Sequence, residues 1–190
     1  RSTRDGAPAG EEVALADAAT PTIYRAPTVA GYTVIQPGSA ESPAELHAAG
    51  GTTVTLAGPV EDVVFSPSGA FFVPLYASRE YEVRRSDGSL AGRLDLGSRR
   101  CAITWLVFSP DERSLALSDV CRWYTTGWRQ EVRSLDGTLI GELPFVTALD
   151  SATFSPDGRY LLGYAGDRPR LLYSMDTLAA PVSIAPDVRQ

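Results

Sequence analysis

The sequence predicts an all-β protein built from about four repeats of four short strands. Two repeated strings and one absence carry this. Phe65-Ser66-Pro67-Ser68-Gly69 recurs as Phe108-Ser109-Pro110-Asp111-Glu112 and as Phe154-Ser155-Pro156-Asp157-Gly158, with Phe-to-Phe spacings of 43 and 46 residues. A second string follows each copy: Glu82-Val83-Arg84 running on to Asp87-Gly88, Glu131-Val132-Arg133 running on to Asp136-Gly137, and a looser Leu172-Tyr173-Ser174-Met175-Asp176. No segment carries a sustained 3.6-residue apolar stripe, except in a weak form Glu11 to Ala19, which lacks apolar bulk.

Each unit reads in order. Thr104 to Phe108 is apolar on both parities, as expected of a strand covered on both faces. Ser-Pro-Asp-Gly is a turn: Pro fixes φ, Asp makes a local hydrogen bond and Gly takes the positive φ. In the last unit Tyr160 to Tyr164 is the return strand, Arg170 to Ser174 the third and Pro181 to Ile184 the fourth. Upstream, Ala44 to Thr52 reads as the tail of a degenerate copy. Four short strands per roughly 40–45 residues is the period of a β-propeller blade. The blades fall at about 20–57 (degenerate), 58–97, 98–144 and 145–185, after a flexible tether over 1–19. Four blades is the lower limit for closure, so a small ring closes, or the chain is part of a longer propeller, or protomers combine.

The strings at 65–69, 108–112 and 154–162 resemble the WD-repeat-like β-propellers, above all their TolB-like bacterial branch, over residues 55–185. The resemblance implies a propeller fold. The chain departs from the eukaryotic pattern in having no Gly-His pair and no Trp before Asp87, Asp136 or Asp176.

Composition sets outer bounds. The chain has 190 residues, 44% hydrophobic and 21% charged, with a formal net charge of −6. That is a globular composition sufficient for one ordinary domain or two small ones. An acidic chain without a dense Arg run is a poor match for a nucleic-acid backbone. No apolar run is long enough to span a bilayer. Arg supplies all 17 basic side chains, and neither Lys nor Asn occurs, which points to a GC-rich, bacterial genome. The chain opens with Arg rather than Met, as expected of a processed or partial chain, and the missing leader says nothing about export.

The residues offer little for catalysis. One His and two Cys exclude a four-ligand Cys/His zinc site, and no nucleophile elbow or phosphate loop occurs. No cofactor and no enzymatic activity is expected. His47 reads as a structural residue at the repeat position of Asp136, Arg84 and Arg133 as strand-to-strand partners, and Trp105 as core.

The third unit stands apart. Phe-to-Asp spacing is 22 residues in the second and fourth units and 28 in the third, six more, which the reading places between its second and third strands. Arg122, Trp123, Tyr124, Trp128 and Arg129 fall there, and Arg99 and Arg100 enter at the same end. Trp, Tyr and Arg on loops of a rigid scaffold suit a binding site, the plainer reading being a local cap over the blade edge. If Ser109 sits opposite Arg113, an unbulged hairpin sets Cys101 opposite Cys121 at disulfide range; otherwise both are small buried thiols.

The expected function is a non-catalytic binding or scaffolding propeller of a bacterial cell envelope or secreted protein. Its expected partner is another protein or peptide, with self-association as a further option. A disulfide places it in the periplasm or outside the cell; free thiols place it in the cytoplasm. The alternatives are a recognition or gating propeller of a multidomain hydrolase, and a sensor domain of a membrane-anchored signalling protein.

Overall fold

A computed structural model describes residues 20–27, 31–39, 41–48, 51–97, 101–120, 128–144, 148–166, 170–178 and 181–184. The proposed tether over 1–19, with its weak stripe from Glu11 to Ala19, lies outside them. Among the described residues the regular structure is entirely strand, arranged as four antiparallel four-stranded sheets. No helix there is long and apolar enough to cross a membrane.

The first sheet holds β1 (Thr22–Arg25), β2 (Thr33–Gln36), β3 (Glu45–His47) and β4 (Thr53–Thr55). The second holds β5 (Val60–Phe65), β6 (Phe71–Tyr76), β7 (Tyr81–Arg85) and β8 (Leu90–Leu94). The third holds β9 (Ala102–Phe108), β10 (Ser114–Val120), β11 (Trp128–Ser134) and β12 (Leu139–Glu142). The fourth holds β13 (Ser151–Phe154), β14 (Tyr160–Tyr164), β15 (Arg170–Ser174) and β16 (Val182–Ile184). In every sheet the strands lie in chain order, so each is a meander of hairpins.

The Phe-Ser-Pro turn joins the first two strands of the last three sheets, and its serine acts twice. The Ser66, Ser109 and Ser155 amides donate to the carbonyls of Phe71, Ser114 and Tyr160. Their hydroxyl oxygens accept from the amides of those same residues at 3.0–3.1 Å. Gly69 and Gly158 occupy the left-handed position of this turn, and in the third sheet Glu112 occupies it at φ 55°. That is an unfavourable conformation for a residue with a Cβ. Glu112 makes two contacts Gly cannot: its carboxylate accepts from Ser68 N at 2.6 Å and from Ser68 Oγ at 2.7 Å, tying the third sheet's turn to the second's.

Three apolar cores fill the spaces between consecutive sheets. Val34 and Leu46 meet Val63 and Phe72 between the first and second. Val73 and Val83 meet Phe108 and Leu115 between the second and third. Ala116 and Val132 meet Leu161 and Tyr173 between the third and fourth. Each sheet therefore has a leading face toward the sheet before it and a trailing face toward the sheet after. The first strands gather on one side, β9 lying beside both β5 and β13. Trp105 is buried in the last core.

The seams repeat in detail. The turn between the third and fourth strands of one sheet rests on the fourth strand of the preceding one. A Cβ at Gly88 would meet Val54 of β4, and one at Gly137 would lie 1.9 Å from the Arg93 carbonyl oxygen of β8. Leu178, after β15, lies against Gly141 of β12. At Gly92 and Gly137 two backbones approach so closely that only glycine fits on either side.

Candidate functional site

The third sheet is enlarged, and the enlargement is divided. Relative to the second sheet, β10 gains one residue over β6 and β11 gains two over β7. The connection between them gains the other three. Half of the insertion read as loop is therefore strand. The longer strands carry one end of this sheet beyond the others, and Ala102, Val120 and Trp128 sit side by side in one row there.

Of the proposed binding residues, Trp128 and Arg129 are described. Arg99, Arg100, Arg122, Trp123 and Tyr124 lie outside the described residues, as does Cys121 of the proposed disulfide. Trp128 is half-buried and lines an open groove of about 320 Å³ with Arg129, Gln130, Glu142, Leu143 and Pro144, at the edge where β11 meets β12. Successive residues of a strand point to opposite faces. Trp128 thus shares its face with Gln130, whose side-chain oxygen accepts from the Tyr173 hydroxyl of the fourth sheet at 3.2 Å. Arg129 turns to the other face, where its guanidinium donates to the Leu96 carbonyl at 3.0 Å and to Asp119 at 2.7 Å.

Arg129 belongs to a buried charge cluster. Asp119 and Glu131 are fully buried, Arg133 nearly so, and Arg129 is 33% exposed. Arg133 donates to Glu131 at 2.6 Å, to the Gly137 carbonyl at 2.7 Å and, at 2.8 Å, to the carbonyl of Asp95, the residue just past β8. Two carboxylates and two guanidiniums balance, and the donors left over stitch this sheet to the one before. Burial pushes the Asp119 carboxyl up, against the opposing pull of Arg129. Sequence reasoning missed Asp119. Its one signal is an acid next to the end of an otherwise uncharged strand, Ser114–Val120.

The pairing of Arg84 and Arg133 differs from the reading of strand-to-strand partners. Each binds the glutamate two residues earlier on its own strand, Glu82 and Glu131, and then the carbonyl of its own turn glycine. Residues two apart in a strand share a face, which makes such a clasp local. His47 is the first sheet's version. Its Nε2 lies 2.9 Å from Glu45, and its cross-strand partner Thr33 matches Phe72 opposite Arg84. His47 therefore occupies the repeat position of Arg84 and Arg133, not that of Asp136. The string around His47 is too degenerate to fix this alignment by itself.

The register of the β9–β10 hairpin also differs from the expected one. Ser109 faces Ser114, not Arg113, because the serine clasps that residue through backbone and hydroxyl. A β-bulge then leaves Thr104 unpaired between Trp105↔Ser118 and Ile103↔Asp119. The two departures cancel, and the last described pair is Ala102↔Val120. Cys101 is buried and disulfide-bonded.

A second groove, of about 300 Å³, lies beside Gln36, Pro37, Val60 and Glu61. Gln36 is committed to backbone: its amide nitrogen donates to Pro37, Ser39 and Ser42 carbonyls and its oxygen accepts from Val60 N. It is a strut between the first two sheets. Among the described residues no cluster of His, Cys, Asp and Glu is arranged to hold a metal ion. No protein-family model matches the chain, and comparison with curated proteins finds no match.

Proposed function

We propose that the four sheets are blades of a β-propeller-type assembly and that the chain is a non-catalytic scaffold that binds a protein or peptide. The observation that carries the binding reading is the groove along Trp128 at the extended end of the third sheet. It combines an aromatic surface, an apolar Leu143-Pro144 wall and an acidic Glu142 rim on a rigid β support. Meander sheets stacked in chain order, with their first strands on one side, support the propeller reading. The chain's one imidazole is paired with Glu45 on its own strand, which fits a structural role. The disulfide-bonded state of Cys101 supports an envelope or secreted location.

The test is selection of peptides from a random displayed library on the full chain, followed by their affinity for Trp128→Ala. Truncating a hot-spot aromatic weakens binding by about tenfold or more, about 1.4 kcal/mol. Arg129→Ala is a poor probe, since it strands Asp119 buried without its cation. Equal affinity for Trp128→Ala and wild type, in a variant with an unchanged far-ultraviolet spectrum, removes the groove from the account.

A further inference from the structure

The two end faces of the stack are the two halves of a seam that the chain builds three times internally. Consider the fourth-strand position opposite the centre of the third strand. It is Val54 in the first sheet, Gly92 in the second, Gly141 in the third and Val182 in the fourth. The first three are each covered by a turn of the following sheet, at Gly88, Asp136 and Leu178 respectively. Val182 is 65% exposed. Its row-mates tell the same story. Val73, Val83, Ala116 and Val132 are buried on trailing faces, whereas their counterparts Leu162 and Leu172 on the fourth sheet are only partly so.

The leading face of the first sheet is the complementary half. Ile23 stands where Val63 and Leu106 are buried in the second and third sheets, yet it is 48% exposed, beside Ile35 on its neighbouring strand. The Glu45–His47 clasp stands where Glu82–Arg84 and Glu131–Arg133 sit on leading faces. The first sheet departs at two rows: Arg25 and Thr33 replace the Phe-Leu or Phe-Phe pair, and its pairing ends at Thr22↔Gln36, before any counterpart of Val60↔Tyr76. Among the described residues no core joins the first sheet to the fourth, and there the two faces do not cover each other.

From this we infer that the fourth sheet of one copy docks on the first sheet of a second copy, head to tail, through the same seam. The occupant is specified by the three internal seams, which show what lies on an apolar trailing face: the leading face of a sheet of this repeat, its third turn resting on the fourth strand. The inference needs the stacking of the sheets and not the groove at Trp128, so either can fail without the other. A face-to-face pairing of two fourth sheets would leave Ile23 and Ile35 exposed. A heterologous seam uses both kinds of face, covering the tail of one copy with the head of the next.

The experiment is the molar mass of the full chain in solution across a concentration series, by sedimentation or light scattering. Wild type is expected to self-associate. Val182→Glu removes the usable tail and Ile23→Glu the usable head, so each alone is expected to be monomeric. Both sites are exposed, and a far-ultraviolet spectrum checks the fold; Leu172→Glu and Ile35→Glu are the second pair on the same faces. An equimolar mixture of the two variants retains one good tail and one good head and is expected to recover a dimer. A wild type that stays monomeric at its highest soluble concentration overturns the inference. So does an Ile23→Glu variant that associates like wild type, which would mark a face-to-face contact, and so does a mixture that remains monomeric.

Discussion

At the scale of single residues, the aspartates of the turns tie stability to pH. Asp111, Asp136 and Asp157 each accept a hydrogen bond from the serine hydroxyl two residues earlier. Each also accepts a backbone amide two residues on. These bonds favour the ionised form, and all three carboxyls are held below their ordinary value of 3.8, the serine hydroxyl being the largest cause. A carboxylate with a lowered folded-state pKa binds fewer protons than its unfolded counterpart. Its contribution is therefore full above the ordinary value and is lost as pH falls through the lowered one. Asp119 runs the other way, since its carboxyl is raised by burial. The expected result is a urea midpoint that drops in acid for wild type. For the triple variant Asp111→Asn, Asp136→Asn, Asp157→Asn it starts lower near neutrality and changes less below the carboxylate range. Parallel pH curves for the two proteins would show that these turns do not carry the acid sensitivity.

At the scale of elements, the β9–β10 hairpin shows how a register argument fares. Its turn is one residue off the expected pairing, a bulge at Thr104 shifts it back, and Ala102↔Val120 ends one step short of positions 101 and 121. Cys101 and Cys121 are expected to resist alkylation in the denatured chain until it is reduced. Mass spectrometry with and without reduction reads this directly, and free alkylation of both without reductant would remove the disulfide and with it the argument for an oxidising compartment. The strands themselves were legible because the Phe-Ser-Pro turns punctuate them and because buried strands are apolar on both parities. Neither the serine clasp nor the bulge was. A bulge answers to packing between Trp105, Ser118 and the neighbouring sheets, which no local pattern encodes. The candidate site was legible only as a composition, two Trp and several Arg at one end of one unit. That alternation would turn Arg129 inward to Asp119 and leave Trp128 on the groove needed the third sheet's strand ends, which ran past their expected limits.

At the scale of the whole molecule, stability follows from stacking. Each sheet is small, and its apolar rows are buried by its neighbours rather than by itself. The seam is the unit that matters, and three equivalent turn glycines probe it under three conditions. Gly51, Gly88 and Gly137 all have positive φ, at 80°, 84° and 94°. A Cβ on Gly51 meets nothing within 4 Å, one on Gly88 meets the Leu46 and Val54 side chains at 3.0 and 3.1 Å, and one on Gly137 falls 1.9 Å from a backbone oxygen. All three Gly→Ala variants share the left-handed penalty of about 1–2 kcal/mol. Only the last two add overpacking of the seam, about 1–3 kcal/mol where neighbours cannot move. The most direct measurement of the account is the unfolding free energy of these three variants, in the monomeric Val182→Glu background so that no second copy covers Gly51. Stacked sheets predict losses that rise from Gly51→Ala through Gly88→Ala to Gly137→Ala. Equal losses at all three would mean that the turns do not rest on the preceding sheets, and the stack, with the docking faces read from it, would be contradicted.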